Sequence, residues 1–259
     1  MRVEGDRETL RIIINFSDKK MDMPIDMQHQ AMGYDRTATM FSPEGHLLQV
    51  EYAEKTVRLG SSSMGMVCSD GVFIIADKRV RDKLIVAKSA LKVHEIDEHI
   101  ISSVAGIVAD ARVLIEKAQL ICQQHRLTYD SPIDTESVIK EISDMKQQFT
   151  QYGGARPFGV AMMIAGVNGK KAELFTSDVT GNYTSYHANA IGENDEAIKE
   201  KLREKYKKDL TIKEGVKLAL EIFEEIKGKD FNIDALELSY IKMNDKLKYL
   251  EGKEIKELK

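Results

Sequence analysis

Apolar residues along this chain follow two spacings in turn, and the order in which they alternate predicts the architecture. Met64 to Cys68 and Val72 to Asp77 are short strand-like runs on either side of Ser69-Asp70-Gly71, the signature of a hairpin. Leu91 to Ile96 and Ile100 to Val104 predict two further strands around the turn Asp97-Glu98-His99. The spacing then becomes helical at Ala111, Leu114, Ile115, Ala118, Ile121, Cys122 and His125. It is helical again at Val138, Ile139, Ile142, Met145 and Phe149, after Ser131-Pro132.

Strands return at Phe158 to Val167, Ala172 to Thr176, Asn182 to Tyr186 and Ala188 to Ile191, the first two split by Asn168-Gly169. Helices are predicted over Glu196 to Tyr206 and Ile212 to Lys227. A strand pair follows near Leu236 to Met243 and Lys246 to Leu250, with a short charged helix at the end. Strands, two helices, strands, two helices, strands is an α+β order. It predicts a four-layer α/β/β/α sandwich, with two packed, mainly antiparallel sheets and helices on both outer faces. No internal repeat or Pro/Gly linker interrupts residues 34–259, so these are read as one sandwich domain and residues 1–33 as an amino-terminal extension.

The segment from Tyr34 to Gly65 carries more information than any other. Ser42-Pro43-Glu44-Gly45 is a turn, Gly45 to Leu59 reads as a helix with Leu48, Val50, Tyr52, Val57 and Leu59 at imperfect helical spacing, and Gly60 is placed to end it. Composition narrows the classes. A net charge of -4 over 259 residues argues against a dedicated nucleic-acid partner. The longest apolar runs are too short to span a bilayer, and with no signal-peptide layout a cytoplasmic protein is expected. Cys68 and Cys122 lack CxxC spacing and read as reduced core residues, and the six histidines show no metal-binding spacing, so neither a metal nor a cofactor is expected.

Three stretches then carry a resemblance. Tyr34 to Gly65, Ile107-Val108-Ala109-Asp110-Ala111-Arg112-Val113-Leu114 and Thr150-Gln151-Tyr152-Gly153-Gly154-Ala155-Arg156-Pro157-Phe158-Gly159-Val160 resemble proteasome core-particle alpha subunits, the archaeal ones especially. Ala190-Ile191-Gly192 is a weaker echo. The likeness runs from about Met27 to the carboxy terminus and implies membership of the amino-terminal-nucleophile hydrolase superfamily. Family members begin close to Met27, so residues 1–26 are read as an upstream start; the apolar run Leu10 to Phe16 within them is the contrary sign. If present, those residues could extend roughly 85 Å at ~3.3 Å per residue, and rings carrying them should degrade peptides more slowly than rings starting at Met27.

The resemblance implies a non-catalytic role. Catalytic relatives use the freed α-amino group of a leading Thr, Ser or Cys as general base. Ser61, with Asp77 and Lys92 near where that family keeps an acid and a lysine, matches such a site, yet Ser61 follows a helix signature and carries an ordinary amide. The implied alpha subunit joins other alpha subunits in a heptameric ring, stacks on beta subunits, and passes unfolded protein substrates. Lys92, Gly106 and Ile107 would form a pocket for the carboxy-terminal tail of an AAA-type activator ATPase, and Tyr34, Asp35, Pro43 and Tyr52 would hold the gate. Alternatives are an autoprocessed hydrolase using Ser61 and a free-standing ring without a protease partner. Asp110 and Arg112 are read as a solvated pair and Arg156-Pro157 as a turn. His46 and Glu54 depart from the arginines usual in the family, and Asp178-Val179-Thr180-Gly181 replaces Asp-Pro-Ser-Gly; Glu54 is expected to alter contacts with a neighbour or activator.

Overall fold

A computed structural model of the chain describes residues 33, 37–79, 84–86 and 89–257. Among the described residues, ten strands form two sheets. The first has order β10-β9-β2-β1-β8 and is built from β1 (Ser63–Cys68), β2 (Gly71–Asp77), β8 (Ala188–Ile191), β9 (Leu236–Lys242) and β10 (Lys248–Glu251). The second runs β3-β4-β5-β6-β7, from β3 (Val93–Asp97), β4 (Ile100–Gly106), β5 (Val160–Asn168), β6 (Lys171–Ser177) and β7 (Tyr183–Ser185). Every neighbouring pair is antiparallel.

Strand alternation divides the interior into three cores. In β2, Phe73 and Ile75 pack with Val216, Leu220 and Phe223 of α5 (Ile212–Lys227) and with α4 (Asp195–Lys205), whereas Val72, Ile74 and Ala76 face the other sheet. β5 does the same in mirror order. Met162 and Ile164 meet α2 (Val108–Tyr129) and α3 (Thr135–Gln151), while Ala161, Met163 and Ala165 fill the gap between sheets. Full burial of such side chains contributes about 2–3 kcal/mol each, which is why a one-residue register slip in either sheet is excluded. The four-layer sandwich expected from the order of spacings is therefore observed.

Local chemistry explains the boundaries. Helix α5 begins where predicted because Thr211 and Glu214 form a reciprocal capping box. Helix α1 (Leu48–Leu59) begins three residues later than Gly45, because Gly45 is held at φ +86° in a turn whose Gly45 N–H donates to Ser42 O at 2.8 Å. Strand β3 starts at Val93 rather than Leu91, since the N–H groups of both Lys92 and Val93 donate to the Glu237 carboxylate, and it carries a bulge between Glu95 and Asp97. A short helix α6 (Lys253–Glu257) closes the chain. No helix among the described residues is long and apolar enough to cross a membrane.

One buried charge stands out in the helical layer. Lys146 of α3 is fully buried, and its Nζ donates to Ser177 O at 3.2 Å and Ser177 Oγ at 3.1 Å; Ser143 Oγ donates to the same hydroxyl at 3.0 Å. Burial pushes the amine down to about 7, against the pull of Asp178.

Candidate functional site

The site grows from the inward face of β1. Met64, Met66 and Cys68 face the outer helices, so Ser63 and Gly65 face the second sheet, where a Cβ on Gly65 would lie 2.7 Å from Met163 Sδ. Ser63 Oγ pairs with Ser103 Oγ at 2.7 Å, and Ser103 Oγ donates to Lys92 O at 3.0 Å. Ser62 Oγ donates to Glu193 O at 2.6 Å, and Asp77 N–H to Ser62 O at 3.0 Å. The residues that follow Ser61 are thus tied to Glu193, Asp77 and Ser103 by hydrogen bonds.

Helix α1 roofs this end of the sandwich. Leu48, Val50 and Ala53 are buried, with Val50 and Ala53 packed on Val179, and Thr56 Oγ1 donates to Gly159 O at 3.0 Å. Gly60 ends the helix with extended backbone (φ -68°, ψ 149°), so its smallness serves close approach rather than a left-handed cap: a Cβ there would sit 2.6 Å from Gly106 N. Gly106 itself is at φ +128°, and a Cβ on it would lie 2.0 Å from Gly159 O. The absence of a side chain at Gly106 is therefore demanded by the sandwich itself.

Lys92, Gly106 and Ile107 come together at one end of the second sheet. Val93 pairs with Ser103, so Lys92 precedes β3 alongside the end of β4, where Gly106 is the last residue and Ile107 the N-cap of α2. Lys92 is half-buried, and desolvation pushes its amine down to about 8, against the pull of Glu237 and Asp77 and with the push of Arg79. Asp77 is not free to serve Ser61, because its Oδ2 takes Lys227 Nζ and its Oδ1 takes the N–H of Arg79 at 3.1 Å. Glu237 lies at the centre. It is fully buried and accepts the Lys92 and Val93 amides and the Tyr249 hydroxyl at 2.8 Å, with Lys78 Nζ at 3.5 Å; burial raises its carboxyl despite these partners.

Of the four residues expected at the gate, Pro43 and Tyr52 are described: Pro43 is exposed in the Ser42–Gly45 turn, and Tyr52 is half-buried on α1 with Lys55 Nζ 5.2 Å from its ring centroid. Tyr34 and Asp35 lie outside the described residues. His46 Nδ1 is 2.5 Å from Glu51 Oε1. Glu54 faces a cavity of about 290 Å³ shared with Arg58, Asp178, Asn189, Asp195 and Lys199, and its carboxyl is raised by burial first and by Asp178 next. Asp178 Oδ1 accepts Thr180 N–H at 2.9 Å and Asn182 N–H at 3.1 Å, making a side-chain-closed turn where proline is usual.

Two expectations are corrected. Arg112 pairs with Glu116 at 3.0 Å, one helical turn on, rather than with Asp110. Asp110 instead takes a two-pronged contact from Arg156, at 2.6 and 2.8 Å, plus Gly159 N–H at 3.0 Å, so Arg156 does more than shape a turn. That fork, first of all, holds the Asp110 carboxyl below its ordinary range. Sequence reasoning also passed over Glu237. Its signal was present: a lone carboxylate inside the otherwise apolar and small run Ala235 to Ile241.

Two five-stranded antiparallel sheets packed face to face, with helices on both outer faces and a roof helix leading into the first strand, make a proteasome-type sandwich. The chain belongs to the proteasome subunit family, whose model, described as "Proteasome subunit", matches residues 57–241. Within that family it is of the alpha type, because residues 34–55 match the amino-terminal signature of the family's A-type members. It is similar to the proteasome subunit alpha of Methanothermobacter thermautotrophicus, with 44% identity over 84% of this chain and 88% of that protein. It also resembles the corresponding proteins of Methanopyrus kandleri, with 42% identity over 90% and 94%, and of Methanococcus maripaludis strain C5, with 47% identity over 73% of each.

Proposed function

We propose that this chain is a non-catalytic alpha subunit that forms the outer heptameric ring of a cytoplasmic proteasome core particle, stacks on beta subunits, and controls the entry of unfolded protein substrates. The observation that carries the non-catalytic reading is the packing of α1 directly ahead of Ser61. Gly60, immediately before Ser61, rests on the backbone of Gly106 and ends a helix whose inner face packs on the sandwich, so the segment ahead of Ser61 is built into the fold and an uncut Ser61 carries only an amide nitrogen. An amide nitrogen cannot accept the hydroxyl proton. Asp77, which would have to support a nucleophile, is already paired with Lys227. Intact-mass measurement of the purified protein tests this: a chain continuous through Gly60-Ser61 is expected, and a product beginning at Ser61 with peptidase activity would overturn it.

Entry control follows from the two ends of α1. At one end, Lys92 would offer an ammonium, with the side-chain-free Gly106 at the end of the neighbouring strand and Ile107 after it, to the terminal carboxylate of an activator ATPase tail. At the other, Pro43 sits in the exposed turn that leads into the helix, and with Tyr52, Tyr34 and Asp35 it would hold the amino-terminal tails apart. Exposed Val113, Leu120 and Leu127, spaced by seven along α2, give an apolar stripe on which a neighbour in the ring can pack. Lys92→Ala should leave the ring assembled and abolish ATPase-stimulated entry of a fluorogenic peptide; unchanged stimulation would place the docking pocket elsewhere.

A further inference from the structure

We propose that Glu237 is the positioning residue of the docking lysine: it ties the main chain of Lys92 to the opposite sheet and supplies the counter-charge that holds the Lys92 side chain ready for an incoming carboxylate. This rests on the docking role given to Lys92 above. The geometry is specific. Glu237 belongs to β9 of the first sheet, yet its Oε1 accepts the N–H groups of Lys92 and Val93, which open β3 of the second. Lys92 O is held by Ser103 Oγ, itself bonded to Ser63 of the first sheet. Both polar groups of the Lys92 backbone are therefore fixed by side chains, not by a strand partner, and the lysine is located by Glu237 as much as by its own strand.

A buried carboxylate needs a reason to persist. Replacing it by a leucine would suit the apolar gap formed by Val93, Ala76 and Ile241, and a fully buried, ionised group otherwise costs several kcal/mol. Here the carboxylate is well used: it accepts two amides and one phenol, has the Lys78 ammonium at 3.5 Å, and acts on the Lys92 ammonium through its charge. The groups facing Lys92 are Glu237 of β9, Asp77 of β2, Arg79 beyond it and His94 of β3; Lys227 of α5 is taken up by Asp77, and Lys78 and Tyr249 by Glu237. Of these, Glu237 makes the largest contribution toward keeping Lys92 protonated, opposing desolvation and Arg79.

The test is the pH profile of docking to the assembled ring. The probe is a fluorescent decapeptide copied from the activator ATPase's carboxy terminus, used as free acid and as amide. In the unaltered protein, the preference for the acid should fade above about pH 8, where Lys92 loses its proton. Glu237→Gln keeps an oxygen for the two amides and turns an NH₂ toward Tyr249, which then accepts rather than donates, but removes the charge, so the ring should form while the fading of that preference moves about one pH unit lower. Glu237→Asp, which keeps the charge slightly farther away, should give a smaller shift in the same direction and serves if the glutamine form does not assemble. An unmoved profile in whichever variant assembles overturns the proposal. Lys92→Ala separates the layers: if the acid preference survives that change, the docking reading itself fails, whereas its loss together with an unmoved Glu237→Gln profile rejects only the positioning role.

Discussion

Lys146→Met should stabilise the protein in mild acid and lose that advantage as the pH rises. Lys146 has no accessible surface and donates only to the neutral Ser177 carbonyl and hydroxyl. Its amine titrates near 7 in the folded chain against an ordinary 10.5. Below pH 7 both folded and unfolded chains hold the proton, so the fold carries a buried ammonium at full cost. Between pH 7 and 10.5 the unfolded chain binds a proton that the folded one does not, and stability rises with pH by up to about 1.4 kcal/mol per unit. Over the whole interval this cannot exceed about 5 kcal/mol. Methionine fills the volume of the lysine stem but leaves two hydrogen bonds unmade, at about 1 kcal/mol each. The variant should therefore be about 2–3 kcal/mol more stable at pH 6, cross the parent near pH 8–9, and fall about 1–2 kcal/mol below it at pH 10. Urea midpoints measured across this range at one protein concentration give the difference directly, since assembly adds a concentration-dependent contribution that must be held fixed. Parallel pH curves for the two proteins, or a methionine variant less stable at pH 6, would refute the reasoning.

Three further outcomes follow from the same geometry. Gly106→Ala, whose Cβ would meet Gly159 O at 2.0 Å on a backbone at φ +128°, should cost more than about 4 kcal/mol and abolish soluble expression, whereas Gly153→Ala, with open space around it, should shift the melting temperature by less than about 2 °C. Gly60→Ala forces a Cβ against the Gly106 backbone nitrogen at 2.6 Å and should lower the melting temperature by several degrees without altering the far-ultraviolet spectrum. Asp110→Asn weakens the Arg156 fork and should cost about 1–3 kcal/mol at pH 7. Because the folded Asp110 carboxyl lies below its ordinary 3.8, its contribution is present above that value and lost as pH falls through the folded one, so the two melting curves should converge in strong acid.

The layers were legible because they rest on periodicity. Val72 to Asp77 and Val160 to Val167 had to be strands buried on both faces, and the helical stretches showed one apolar side each. The ends of elements depended on polar side chains reaching across the fold, which no local spacing reveals. Glu237, 145 and 144 residues away, takes the amides of Lys92 and Val93, so the strand begins only at Val93. The Asp110 partner was hidden for the same reason. Arg112 is near in sequence but points along the helix to Glu116, while Arg156 arrives from 46 residues on. Asp77 does lie within electrostatic reach of Lys92, but that its carboxylate is engaged by Lys227 could not be seen without the fold.

The glycine contact beneath the roof helix makes that helix a lever with one fixed end. Gly60 against Gly106, and Thr56 on Gly159, clamp the carboxy-terminal turn to the sheet, while the opposite end runs into the exposed proline turn. Twelve residues give an arm of about 18 Å. Pivoting by only about 3° about the clamp would carry Pro43 through about 1 Å, and the buried Leu48, Val50 and Ala53 along the arm would have to slide on the sandwich for it to do so.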